Sequence, residues 1–110
     1  MTPLRLTLRK SEFDAVRLGR EKEVVKHASN KRIHYLCLYR MTGDCKEPQS
    51  RCRECFANSF AFGGYDCYPF DRAVIRRGKT DKYITKELVS VTWEGRDGKI
   101  VFVIKFKENG

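Results

Sequence analysis

The chain reads as a single small α+β domain, residues 1–110, built from a mixed set of β-strands, one or two short helices and a cysteine-bearing loop insertion at 41–69. Three observations predict this class. Leu4, Leu6 and Leu8 alternate with Arg5, Thr7 and Arg9, the period-two pattern of a strand with one dry face and one wet face. Phe13, Ala15, Val16 and Leu18 then supply a helical apolar stripe that stops at Gly19. Residues 82–93 are rich in β-branched side chains and lead into Asp97-Gly98, the strongest short hairpin signal in the chain.

Taken in order, strands are expected at 3–9, 22–27, 71–77, 83–93 and 99–107. Ser11 is expected to cap the first helix, with Glu12 and Asp14 placing negative charge in its first turn. Residues 31–40 fit two patterns. Ile33, Tyr35, Cys37 and Tyr39 alternate as in a strand, whereas Asn30 as a cap with Ile33, Leu36 and Cys37 inward makes a short helix, the reading adopted here. Gly43, Pro48, Gly63, Gly64 and Pro69 mark 41–69 as turn and loop. Trp93 and Phe102 are placed to meet across the last hairpin.

The composition is that of a folded globular chain, with 41% hydrophobic and 34% charged residues. No apolar run nears the roughly 20 residues a bilayer requires, and the alternating N-terminus reads as a strand and not a secretory leader. The cytoplasm is the expected location, with no membrane partner, and a monomer is the default state. Lys and Arg number 23 against 14 Asp and Glu, giving a net charge of +9. Such a surface attracts polyanions over a Debye length of about 8 Å; plain solubility is the competing explanation. The basic residues are spread along the chain, so a nucleic-acid-binding face would have to be assembled by folding.

Leu4-x-Leu6-x-Leu8, Phe13-Asp14-Ala15-Val16, Gly19, the run Phe70-Asp71-Arg72-Ala73-Val74-Ile75 and the closing Val101-Phe102-Val103-Ile104-Lys105-Phe106-Lys107 together resemble the ASCH domain, a branch of the PUA-like superfamily. The resemblance covers roughly residues 3–26 and 70–107. It implies a small mixed β-barrel whose mouth, lined by the residues after the helix-ending glycine, holds RNA or a nucleotide. Some relatives hydrolyse an acylated cytidine nucleoside with a lysine and a threonine from the motif Gly-x-Lys-x-x-[Glu/Thr]-x-Arg, together with a glutamate. Here that motif is incomplete. Counting from Gly19, its lysine falls at Glu21, its Glu/Thr position at Val24 and its arginine at Lys26; a slip of one residue restores Lys22 but puts Val25 and His27 at the other two positions. Binding is therefore favoured over hydrolysis, with Lys22 and Glu23 the candidate catalytic pair if an enzyme exists.

Lys22, Lys26, Arg76, Arg77 and Lys79 are the candidate contacts to phosphate or base. Ammonium and guanidinium groups suit phosphate, and the N–H groups of an Arg76-Arg77-Gly78-Lys79 turn would add to it. Tyr35 or Tyr83 would offer a ring for stacking. The glycine turn and the arginine turn are expected to converge on one cationic hollow; a solvated strand edge and an exposed basic loop are the plainer alternatives.

Cys45, Cys52, Cys55 and Cys67 lie in the insertion with spacing Cys-x6-Cys-x2-Cys-x11-Cys. Two residues between Cys52 and Cys55 let both sulfurs reach one tetrahedral ion about 2.3 Å away. A structural zinc on these four thiolates is the expected cofactor, since metal binding would order a long loop that burial alone would not. Disulfides, a redox Cys-x-x-Cys and free thiols are the competing readings, and contact of this loop with a protein partner is a further option. Cys37 reads as a core residue, and His27 and His34 carry no ligand motif.

Overall fold

The computed structural model describes residues 3–43 and 67–108. In order they form β1 (Leu4–Leu8), α1 (Lys10–Arg17), β2 (Glu23–His27), α2 (Asn30–Leu36), α3 (Leu38–Met41), β3 (Arg72–Arg77), β4 (Tyr83–Arg96) and β5 (Lys99–Phe106). The fold is thus mixed α+β, with a five-stranded sheet of order β1-β3-β4-β5-β2. No helix among the described residues is long and apolar enough to cross a membrane. Each expected strand is present. The chain divides into two contact units, one made of 1–25, 70–91 and 103–110, the other of 26–69 and 92–102.

In the first unit β1 lies parallel to β3, with Leu4 opposite Ala73 and Leu8 opposite Arg77, and β3 lies antiparallel to β4, with Arg72 opposite Glu87 and Arg76 opposite Tyr83. The leucine alternation sets which face is dry. Leu4, Leu8, Ala73 and Ile75 are buried, while Arg5, Thr7 and Arg72 are exposed. Helix α1 buries Phe13 and Val16. Leu18, expected in that stripe, is 52% exposed because it falls at the C-cap, one position past the last helical turn. The helix also starts earlier than Ser11 suggests. Arg9 is the N-cap and makes no side-chain cap, so Ser11 lies inside the first turn, while the Phe13 N–H reaches the Arg9 carbonyl at 2.8 Å.

Gly19 ends α1 as expected, in a Schellman motif. Its φ is +75°, its N–H donates to the Val16 carbonyl at 3.1 Å, and the Arg20 N–H donates to the Ala15 carbonyl at 2.9 Å. A Cβ here would meet no atom within 4 Å, so the demand for glycine is purely conformational. Gly19→Ala is expected to lose about 1–2 kcal/mol through the left-handed backbone alone, read as a lower urea midpoint with unchanged slope. An unchanged midpoint would mean that the turn rearranges freely.

In the second unit α2 buries Ile33 and Leu36. Its cap is Ser29 and not Asn30: the Ser29 hydroxyl accepts the Arg32 N–H at 3.2 Å, and Asn30 is the first helical residue. Arg40 reaches back to the end of the helix, its Nε donating to the His34 carbonyl at 2.5 Å and its terminal nitrogen to the Tyr35 carbonyl at 3.0 Å. Burial, and then the Arg40 charge, holds His34 below the ordinary histidine pKa. Cys37 leaves helical geometry (φ −70°, ψ 123°) and forms an antiparallel bridge with Cys67. The Asp97-Gly98 turn has φ of 51° and 74°, the two left-handed positions a two-residue hairpin of this hand requires. Phe102, fully buried, comes from the strand that follows.

Candidate functional site: a lysine-lined groove in the first unit

The Schellman turn at Gly19 decides where the charged residues after α1 go. The Glu21 N–H also bonds the Ala15 carbonyl, at 3.1 Å, which folds the chain back under the helix. Lys22 is then delivered to the end of β5, where its carbonyl accepts the Phe106 N–H at 2.9 Å. From β4 comes Lys86. Along this strand Ile84 and Lys86 are half-buried and Leu88 buried, while Thr85, Glu87 and Val89 are exposed. Lys86 therefore occupies the apolar phase of an alternating strand, opposite the fully buried Ala73. The Lys107 N–H donates to the Glu87 carbonyl at 2.9 Å and brings the end of β5 beside it.

These segments enclose a groove of about 340 Å³ with an apolar floor of Val16, Leu18 and Phe106 and a charged rim of Glu21, Lys22, Lys86, Lys107 and Glu108. That volume falls within the range of small-molecule sites. Two of the rim lysines are already engaged. Lys22 is bonded to Glu108, and Lys107 lies 3.8 Å from Glu87. The hydrogen bond from Lys22, and then its charge, holds the Glu108 carboxyl below the ordinary glutamate range. The Lys86 ammonium has no ion-pair or hydrogen-bond partner among the described residues. A half-buried lysine whose ammonium has no counter-charge among the described residues, over an apolar floor, is the arrangement an incoming anion would complete.

The basic residues singled out from sequence are distributed differently from the single hollow expected of them. Lys22 lines the groove. Arg76 and Arg77 end β3 at the Tyr83 side, whereas Lys22, Phe106 and Lys107 cluster at the Glu87 side. The five residue steps from Arg72 to Arg77 separate those ends by roughly 17 Å. Parity separates them too: Lys86 pairs with Ala73 on the buried face, and Arg76 pairs with Tyr83 on the other. Most backbone N–H groups around the Arg76 turn are also already engaged. The Gly78 N–H donates to the Leu8 carbonyl at 2.8 Å, the Thr80 N–H to the Arg77 carbonyl at 3.1 Å, and the Lys82 N–H to the Thr80 hydroxyl at 3.2 Å. What this end offers is a row of Thr7, Arg76 and Tyr83 across three strands, with Tyr83 half exposed and a buried Arg76 Nε that has no partner among the described residues. Lys79 is exposed beyond it.

Lys26 is a half-buried residue of β2 in the second unit. Glu23, the candidate acid or base, is half-buried in β2 and is not one of the residues lining the groove that Lys22 enters. Of the four cysteines expected to hold zinc, Cys45, Cys52 and Cys55 lie outside the described residues. The fourth, Cys67, faces Cys37, and no group of three or more metal-ligating side chains occurs among the described residues.

Sequence reading did not single out Lys86, Lys107 or Glu108. For Lys86 a signal was present: in Ile84-x-Lys86-x-Leu88 a lysine sits at an inward position of a clean alternation. For Lys107 and Glu108 no local signal exists, since only the pairing of β5 brings them to the rim. No protein-family model matches the chain, and comparison with curated proteins and with solved structures returned no match.

Proposed function

We propose that this chain is an RNA- or nucleotide-binding module of the PUA-like, ASCH-type barrel class, docking a phosphate on Lys86 in the groove beneath α1. The observation that carries the reading is the half-buried residue Lys86, whose ammonium has no partner among the described residues, in a groove that Lys22 and Lys107 also line. The apolar floor suits a base or ribose face, and the Glu21 carboxylate can accept an exocyclic amine or a ribose hydroxyl. The net charge of +9 supplies long-range attraction for such a ligand. The helix, the glycine turn and the closing strand that carry the family resemblance each contribute residues to this groove. Binding is preferred to hydrolysis because the motif lacks its hydroxyl residue and Glu23 stands apart from the groove.

The test is fluorescence anisotropy with a short 5′-labelled single-stranded RNA over a series of salt concentrations. Neutralising Z phosphates gives a log–log slope of about −0.7Z for single strands, and a slope between −1 and −3 is expected. AMP should compete. Absence of binding at low salt, or affinity independent of salt, would overturn the reading.

Glu108 is the internal competitor for the same charge. Glu108→Gln releases Lys22 and is expected to tighten RNA binding by up to about fivefold, the scale of an exposed ion pair. The pH dependence has a fixed sign. Because the folded pKa is depressed, the Lys22–Glu108 attraction is complete above the ordinary glutamate pKa of about 4.3. It disappears as pH falls through the lower folded value. A carboxyl NMR titration of Glu108 should show that low midpoint, and Lys22→Ala should return it to the ordinary range.

A further inference from the structure

We propose that Cys37 and Cys67 form a reversible disulfide that joins the chain across residues 38–66. The two cysteines face one another in an isolated antiparallel bridge. The hydrogen bonding shows which kind of pair they are. The Tyr68 N–H donates to the Leu36 carbonyl at 2.8 Å. A bond from the residue after one partner to the residue before the other flanks the pair and does not join it. Cys37 and Cys67 are therefore a non-hydrogen-bonded pair, the type in which facing Cα atoms approach to about 4.5 Å and side chains lie closest, on the same side of the ladder. A disulfide accepts Cα separations of about 4.4–6.8 Å, a range that pairs of this type meet.

Two further features support the pairing. Cys37 is fixed in extended geometry between α2 and α3, with the buried Leu36 anchoring one side and Arg40 binding the helix end nearby. Neither cysteine is in a disulfide, and both are half-buried, within reach of a small reagent. The oxidant is a low-molecular-weight disulfide such as oxidised glutathione. One cysteine thiolate attacks a sulfur of that disulfide, forming a mixed disulfide and releasing one small thiolate. The second cysteine thiolate then attacks the protein-bound sulfur and expels the other small thiolate. The protein gives up two protons and two electrons, and one small disulfide becomes two thiols. The product ties both ends of the intervening segment to the end of α2.

The pairing competes for Cys67 with the four-thiolate zinc set expected from sequence, and one experiment separates them. The full chain is incubated with oxidised glutathione, free thiols are blocked with iodoacetamide, and trypsin with Asp-N releases Cys37 in peptide 33–40 and Cys67 in peptide 66–70. The expected result is that most Cys37 appears in a peptide linking the two, lost on reduction. In guanidinium the same treatment should scatter Cys37 among all partners, lowering this linkage severalfold. In Cys67→Ser, Cys37 should appear alkylated or glutathionylated. Cys37 linked mainly to Cys45, Cys52 or Cys55, or left alkylated in the folded chain, overturns the proposal. So does a linkage that forms only after a chelator has removed stoichiometric zinc, because Cys67 would then be a metal ligand.

Discussion

Lys86→Met is expected to weaken binding of a short single-stranded RNA, or of AMP, by about 10- to 100-fold. A hydrogen bond to a charged group contributes roughly 1.5–3 kcal/mol, and each 1.4 kcal/mol is about tenfold in affinity. Methionine keeps an unbranched apolar stem over Val16, Leu18 and Phe106, so lost affinity would report the charge and not the packing. The variant should unfold at the same temperature as the parent or slightly higher, because an ammonium with no partner among the described residues is removed from a half-buried residue. Lys99→Ala, which removes an equal charge from an exposed position at the start of β5, should change affinity less than threefold. Equal losses in both variants would mean that only net charge matters and that the groove is not the site.

The largest effect on stability is expected from Phe102→Ala. Phe102 is 0% exposed and is the largest of the fully buried side chains among the described residues. Truncating a buried phenylalanine costs about 3–5 kcal/mol, part from lost transfer energy and part from the cavity left behind. Against a total of about 5–15 kcal/mol for a domain of this kind, that is a severe loss, and a fall in Tm on the order of 15 °C follows from the usual scaling. Thermal melts followed by far-ultraviolet circular dichroism would measure it. A fall under 5 °C would show that this core tolerates a large void and that Phe102 is not held as the structure places it.

Local segments of the fold were legible because their signals are short-range. The leucine alternation at 4–8, the stop at Gly19 and the Asp97-Gly98 hairpin each follow from backbone sterics or a period of two, which act within a few residues. Ser11 and Asn30 were misread as caps for an equally local reason. Both are good cap residues, yet Ser11 lies two places and Asn30 one place past the residue that caps the helix, and each helix buries its apolar residues, Phe13 and Ile33, from that earlier start. Leu18 was misassigned because a stripe drawn on a helix does not reveal that the last turn has already ended.

The site was harder to read. The sequence showed an excess of cations and placed Lys22 after a turn, yet it could not say which cations share a groove. Arg76 and Lys86 sit on the same strand pair, but one residue of parity puts them on opposite faces, and the register that sets this parity is made by pairing between β3 and β4.

By itself, the sequence determined that the chain is a basic α+β domain with strands where alternation demands them and a helix that must end at a left-handed glycine. These are consequences of local sterics and of the period of hydrophobic burial. Only the tertiary structure decided that Lys22 meets Glu108, that Lys86 has no counter-charge among the described residues, and that Cys37 faces Cys67. Each of those juxtapositions joins residues far apart in the chain. Strand register, which is settled by burying one whole face of a sheet at once, is what brings them together.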